Sequence, residues 1–348
     1  MTKNDATLRD VAKRAGVSVG TVSHFINNNS KILEKNKCKI QKAIDDLGYT
    51  PNSLAQNFAK GISKQIALYI SAEFPISSAT WMYGLPIIQG VNSIIHLTGY
   101  SLQMSVNSIN DIEKSYENIS KAIINRSIDG LLYLSAWQIP MKILELLTKN
   151  KFPYILVANN NPLGMENDVL IDIPNAVSKI VNYLYDNGHR TYGIVLGYKD
   201  QIHMAERLQT FYSEMNRLKL PVLSRHIKTG SFDISSGYAL MLEMISEGDL
   251  PSAIICGNDD IATGVIKALK ESGVNVPRDV SVIGFDNSIV GQVSEPAITT
   301  MDIPAFKIGE ESAKNLIYRI SNPGLSVPRS TIPCTLVEYG SVAKCSSF

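Results

Sequence analysis

From residue 65 onward the chain alternates short apolar runs with amphipathic segments, and this alternation is the strongest constraint on its fold. The runs with strand character are QIALYIS, SLQMSV, GLLYLSA, PYILVAN, DVLIDI, TYGIVLG, SRHIKTG, SAIICGN and VSVIGFD. Between them stand segments such as NAVSKIVNYLYDNGH and IATGVIKALKESG, whose apolar residues recur at helical spacing. Strands separated by helices predict parallel sheets covered on both faces. Nine strands are generous for one compact sheet at this length, so the pattern predicts two α/β lobes. No solenoid period and no low-complexity tract interrupts it.

Ahead of this body stand three short helical patterns. In TLRDVAKRAG, Leu8, Val11, Ala12 and Ala15 share a face, Thr7 and Asp10 have capping-box spacing, and Gly16 ends the helix. In SVGTVSHFIN, Ser18 serves as N-cap and Val22, Phe25 and Ile26 turn inward. EKNKCKIQKAIDDLGY places Ile40, Ala43, Ile44 and Leu47 inward and stops at Gly48. The first two helices, joined through AGVS, have helix-turn-helix spacing, in which the second helix enters the major groove of DNA. Its outward residues are then Val19, Gly20, Ser23, His24 and Asn27. An ordinary helical hairpin packed on the body has the same spacing. PNSLAQNFAKGIS follows, a short helical stretch from Pro51 to Gly61 that is marginal alone in water.

Charge separates the two parts. Residues 1–64 hold eleven Lys and Arg against five Asp and Glu, whereas residues 65–348 hold 22 against 27. A basic head on an acidic body points to a polyanionic partner at the head. Cys38, Cys256, Cys334 and Cys345 are far apart with no metal-ligand spacing, which predicts reduced, mostly buried thiols. The N-terminus lacks the apolar core of a signal peptide, and no apolar run reaches membrane-spanning length. A cytoplasmic protein without membrane contact is expected.

TLRDVAKRAGVSVGTVSHFINNN and AIDDLGYTPNSLAQNFAKG together resemble the N-terminal signature of the lactose/galactose repressor family. IDGLLYLSA, DNGHRTYGIVLG, AERLQTF, GSFDISSGYALM, PSAIICGNDDIATGVIKALKESGVNVPRDVSVIGFDN and PAITTMDIP continue the resemblance in family order over nearly the whole chain. It implies a bacterial transcription regulator, in most cases a repressor, that binds a pseudo-palindromic operator in double-stranded DNA as a homodimer. Residues 1–50 would form the helix-turn-helix domain, with Ser18 and Thr21 joining its DNA contacts. Residues 51–61 would form a hinge helix, with Asn52, Gln56 and Phe58 in the minor groove. Residues 62–348 would form a two-lobed body like the type I periplasmic binding proteins, with doubly wound parallel sheets, binding a small effector and supplying the dimer surface. The N-lobe would take about 62–158 and 291–320, and the C-lobe about 159–290 and 321–348.

The effector, a sugar or sugar derivative by resemblance, would sit between the lobes at the carboxyl ends of the strands. Phe232 matches the family's stacking aromatic, Arg207 its cleft arginine, Asn258 and Asp286 its polar contacts, and Tyr83 its aromatic on the opposite lobe. Each has a plainer reading: Asn258 as a helix cap, Asp286 as a turn residue, Phe232 as core and Arg207 as a surface ion pair.

The chain also departs from the family. Ala158 stands where many members have a cleft Asp, and AEFPISSATWMYG does not follow the usual run. His24 replaces a common Arg, Val19 and Gly20 replace polar or aromatic readers, Phe58 replaces the leucine wedge, and Leu33 replaces a Ser cap. These changes keep open a sensor whose helix-turn-helix no longer reads DNA. A sugar or nucleoside hydrolase on the same scaffold would leave the basic head unexplained. No dinucleotide, P-loop, zinc-protease or nucleophile-elbow motif is present, so no cofactor, metal or catalytic residue is expected. His189, in NGHR, reads as structural.

Overall fold

Thr7 and Asp10 cap each other at the start of the first helix. The Thr7 hydroxyl accepts the Asp10 N–H at 3.4 Å, and the Asp10 carboxylate accepts the Thr7 N–H at 2.9 Å. The computed structural model describes residues 6–26, 32–50, 62–73, 78–159 and 166–345. The expected hinge helix, with Asn52, Gln56 and Phe58, lies outside the described residues, as does Asn27. The chain divides into two compact units, Met1–Ser63 and Lys64–Phe348.

The first unit contains α1 (Leu8–Ala15), α2 (Val19–Ile26) and α3 (Glu34–Leu47). Gly16 ends α1 at φ 65°, a left-handed position that favours glycine. Val11, Ala12, Ala15, Val22, Ile40 and Ala43 are buried together, and Leu8, Phe25, Ile26 and Ile44 pack around them. Leu47 departs from the expected pattern and is 37% exposed, because so small a core is closed by Ile44 and Tyr49. An ion pair of 2.8 Å between Arg14 and Asp46 ties α1 to α3. Leu33 precedes α3 without any side-chain cap.

In the second unit the alternation produces two six-stranded sheets. The first contains β1 (Gln65–Ala72), β2 (Ser101–Ser108), β3 (Gly130–Ser135), β4 (Tyr154–Val157), β5 (Asp168–Ile171) and β11 (Ser330–Ile332). Its order is β11-β5-β4-β3-β1-β2, and every pairing is parallel. The second contains β6 (Tyr192–Leu196), β7 (Ile227–Thr229), β8 (Ala253–Cys256), β9 (Ser281–Phe285), β10 (Thr299–Asp302) and β12 (Thr335–Val337). Its order is β12-β10-β9-β8-β6-β7, and β12 runs antiparallel to β10. Central strands such as β3, β6 and β9 are buried along their whole length, as strands covered on both faces must be.

The helices that matter for the site are α4 (Ser78–Ile95), α5 (Ile112–Ile124), α6 (Met141–Lys149), α7 (Ile173–Asp186), α8 (Ile202–Leu218), α9 (Ile234–Ser246), α10 (Asp259–Glu271), α11 (Ile289–Val293) and α12 (Ala305–Ser321). In the first lobe, α4 and α12 approach so closely that a Cβ on Gly90 would lie 2.0 Å from the Phe306 carbonyl oxygen.

Three strands were not legible as strands: β10, β11 and β12, of four, three and three residues. Together with the pairing of β5 they move the lobe boundaries. β5 pairs with β4, so the first crossing falls after residue 171 and not at 158. β10 pairs with β9, so the second falls after 302 and not at 290. The third falls between β11 and β12, not at 320. Each lobe takes one further strand before the chain leaves it, and runs this short carry too little periodicity to announce their partner.

Candidate functional site

The expected reading surface lies on α2. Ser18, Gly20 and His24 are exposed, Val19 is 41% exposed, and Thr21 and Ser23 are half-buried. Val22 turns the helix inward, which leaves those residues outward. The Ser18 hydroxyl accepts the Thr21 N–H at 3.1 Å, so it caps the helix as expected, and the two hydroxyls bond each other at 2.8 Å. Ser18 and Thr21 are thus partly committed to the helix start. Gly20 has no side chain to offer, and the Val19 methyls are of the kind that can meet a thymine methyl.

In the second unit a cleft of about 950 Å³, counting the part open to solvent, runs along the carboxyl ends of strands from both sheets. Ile70 to Ala72 end β1, Leu134 and Ser135 end β3 with Ala136 and Trp137 after it, Ala158 follows β4, and Gln201, His203, Met204 and Arg207 come from the start of α8 and the turn before it. Phe232, Asn258 and Asp286 follow β7, β8 and β9. Tyr83 and Trp81 enter from α4. All five residues expected from the sequence therefore line one cleft, although Tyr83 and Asp286 lie about two hundred positions apart.

Arg207 is 3% exposed and is no surface ion pair. Its guanidinium lies 3.7 Å over the Phe285 ring and donates to the Gly257 carbonyl. Its Nε is buried without a partner among the described residues. Burial holds the pKa of Arg207 below the usual value, partly offset by Asp286. Asp286 has φ 98°, a left-handed position unusual for a residue with a side chain, and its N–H donates to the Met301 carbonyl at 2.9 Å. Burial pushes its carboxyl up to about 6; Arg207 pulls it down, while Asp260 and Asp302 push it up.

Asn258 does cap a helix. Its Oδ1 accepts the Ile261 N–H at 2.8 Å, and its Nδ2 donates to the Phe232 carbonyl at 3.1 Å. The amide therefore also fixes the backbone that presents Phe232. That ring rests on Gly197, where a Cβ would lie 2.2 Å from it. The Tyr83 hydroxyl is buried with no hydrogen-bond partner among the described residues, and burial raises its pKa. A buried donor in that position suits a ligand oxygen.

Several residues in the cleft or beside it carried no signal in the sequence. His203 is buried and pushed down to about 3, first by burial and then by Arg207, against the Ala158 carbonyl, which favours the protonated ring. Asp259 accepts the Thr300 hydroxyl at 2.7 Å and the Ser288 N–H at 2.6 Å beside Asp286. Burial, and then Asp286, push it up to about 7. Trp81, Trp137 and Gln201 complete the wall. Outside the cleft, His189 bonds the Ser252 hydroxyl and the Ala343 carbonyl, each at 3.1 Å, which is the structural role expected of it. Cys256 and Cys334 are buried, whereas Cys38 is exposed.

Among the described residues no cluster of side chains could hold a metal ion, and no helix is long and apolar enough to cross a membrane. The family description of bacterial regulatory proteins of the lacI family matches residues 7–52, and that of the periplasmic binding protein-like domain matches residues 181–342. The HTH-type transcriptional repressor PurR of Proteus mirabilis (strain HI4320) is 33% identical over 341 residues, covering 97% of each chain. The PurR repressor of Pectobacterium carotovorum subsp. carotovorum (strain PC1) is 32% identical over 342 residues, again 97% of each. Among solved structures, the lac repressor dimer bound to operator and the anti-inducer ONPF superposes with a TM-score of 0.82 at 22% identity, over 98% of this chain and 100% of that one. The transcriptional regulator CelR–cellobiose complex superposes with a TM-score of 0.70 at 25% identity, over 97% and 99%. Such likeness, sustained from the first helix to the last strand, means that the chain belongs to the lacI family of bacterial regulatory proteins.

Proposed function

We propose that this regulator represses transcription as a homodimer on a pseudo-palindromic operator, and that a neutral sugar or sugar derivative in the cleft controls its hold on DNA. The observation that carries the reading is a reading helix and an aromatic cleft with buried polar groups on one chain, matched from end to end by transcriptional repressors. Operator access implies the cytoplasm.

The cleft suits a sugar on chemical grounds. Phe232, Trp81 and Trp137 offer flat apolar faces for C–H surfaces. Asp286 accepts hydroxyl protons, while Arg207 Nε and the Tyr83 hydroxyl can donate to ring and hydroxyl oxygens. Cellobiose in the CelR complex is a bound sugar on the same fold. On the DNA side, Val19, Gly20, Ser23 and His24 read the major groove, and the basic head meets phosphates. A ligand that prefers one setting of the two lobes shifts the regulator between DNA-affine and DNA-weak populations.

Thermal unfolding of the full chain against neutral sugars and sugar phosphates tests the cleft. A ligand present at a hundred times its Kd adds about 2.7 kcal/mol of stability by mass action. A sugar that raises the melting temperature and also changes the gel shift of operator DNA supports the reading. If no sugar does both, a sugar-responsive repressor is the wrong description.

A further inference from the structure

We propose that Tyr198 is a positioning residue of the cleft, which ties the ring of Phe232 to the opposite lobe through Trp137 and Glu73. The proposal deepens the reading of the cleft as an effector site and rests on it.

Phe232 belongs to the second lobe, and its ring has Gly197 on one side. Tyr198, the next residue, meets that ring edge-on with centroids 5.7 Å apart and an interplanar angle of 66°. The Tyr198 ring in turn meets Trp137, at 6.5 Å and 36°. Trp137 comes from the first lobe, in the turn after β3, and the turn is built to hold it. Fully buried Asn159 donates from its amide to the Ser135 and Trp137 carbonyls, and its Oδ1 accepts the Ile139 N–H at 3.3 Å. One residue away, the Ala136 carbonyl accepts the Ile202 N–H from the second lobe at 3.0 Å. The Tyr198 hydroxyl is near enough to the Glu73 carboxylate, which follows β1 in the first lobe, to feel its charge; burial and then Glu73 raise its pKa.

Tyr198 therefore has its ligand-side neighbour on one lobe and two neighbours on the other. A ligand that turns or presses the Phe232 ring must displace Tyr198, and Tyr198 cannot move without changing its contacts with Trp137 and Glu73. The three rings convert occupancy of the cleft into a preference for one setting of the lobes, which is the differential contact that a population shift requires. Tyr198 is 39% exposed, so its truncation leaves the buried core intact.

The chain contains two tryptophans, Trp81 and Trp137, and both line the cleft. In the full chain carrying Trp81→Phe, emission reports Trp137. Tyr198→Ala should raise acrylamide quenching of Trp137 about twofold as its ring partner is lost, whereas Tyr198→Phe should keep quenching near the parental level. Phe232→Leu should shift Trp137 emission when Tyr198 is present and produce no further shift in the Tyr198→Ala background. A Trp137 signal that ignores Phe232→Leu, or responds to it equally with and without the Tyr198 ring, overturns the proposal. Titration with cellobiose and a panel of neutral monosaccharides separates the two readings. A sugar-dependent Trp137 change that Tyr198→Ala abolishes supports both. An intact relay, together with a parental chain keeping Trp81 whose melting temperature no sugar raises, leaves the positioning role standing and removes the sugar as effector.

Discussion

In the helix-turn-helix unit the side chains that would meet DNA stand in water, whereas in the body the side chains that would meet a ligand are withdrawn from it. Val19, Gly20 and His24 are exposed on a helix held by a core of six buried residues. Arg207, Asn258 and His203 are each less than a tenth exposed, on a scaffold with more than fifty buried apolar residues. The difference teaches where chemistry is altered by the fold. A surface that binds a polyanion needs charge and shape, which short capped helices supply. A cleft that selects a small molecule gains strength from desolvated polar groups, and these demand a large core to hold them.

The largest effect expected from this contrast is on DNA. Residues 64–348 alone should remain folded, yet lose at least about 10³-fold in affinity for an operator selected from random DNA by the full chain, the usual gap between specific and non-specific binding. Fluorescence anisotropy at fixed salt measures it, and equal affinities would show that the body itself reads DNA.

Within the cleft, Arg207→Ala should weaken sugar binding by about 1.5–3 kcal/mol, roughly 10–150-fold, the range for hydrogen bonds to charged groups. Operator affinity without ligand should change far less. Gly197→Ala should act in the same direction by displacing the Phe232 ring. Calorimetry with unchanged affinity in both variants would place the ligand elsewhere.

A smaller effect is expected on pH dependence. Asp259 and Asp286, at about 7 and about 6, stand above the ordinary 3.8, so the stability they contribute is complete below about pH 3.8 and is lost as pH rises through 6 to 7. His203, at about 3 against 6.5, works oppositely: its contribution is present above pH 6.5 and is lost as pH falls towards 3. The two slopes oppose each other between pH 4 and 6.5. His203→Gln should therefore make the melting temperature fall more steeply with rising pH in that interval, and Asp286→Asn should make it fall less steeply. Scanning calorimetry across the range decides, and parallel profiles for all three chains would deny the buried titrations. Ligand affinity should also decline as pH falls through about 6, where Asp286 takes up a proton and ceases to be a charged acceptor.

The smallest effect belongs to the head. Leu33→Ser supplies the cap that α3 lacks and removes an apolar side chain that is 74% exposed. It should stabilise the helix-turn-helix unit by about 1 kcal/mol. Urea unfolding followed by circular dichroism reads the gain, and its absence would mean that other contacts already secure the start of α3.

Much of this organisation is local and therefore visible along the chain. Thr7 and Asp10 cap each other over three residues, Ser18 caps the next helix through the Thr21 N–H at the same spacing, and Gly16 and Gly48 end their helices in the left-handed region. The βαβ alternation set the fold class, because apolar period alone distinguishes a strand covered on both faces from an amphipathic helix. Arg207, Phe232, Asn258 and Asp286 were nameable through resemblance, and they do meet in one cleft. The fourth of these showed the limit of a one-residue reading, since Asp286 lies both in a turn and in the cleft wall.

What the sequence determined by itself was the set of elements, their caps and the basic head, since each depends on residues within a turn or two of one another. Tertiary structure alone decided the rest. It set which sheet takes β5, β10 and β11, because three- and four-residue strands choose partners by packing and not by pattern. It brought His203 and Asp259 beside Arg207 and Asp286 and moved their protonation, because desolvation and neighbouring charge exist only once distant segments meet. It also brought the rings of Trp137, Tyr198 and Phe232 together across two lobes, a contact between rings from three loops that no spacing along the chain encodes.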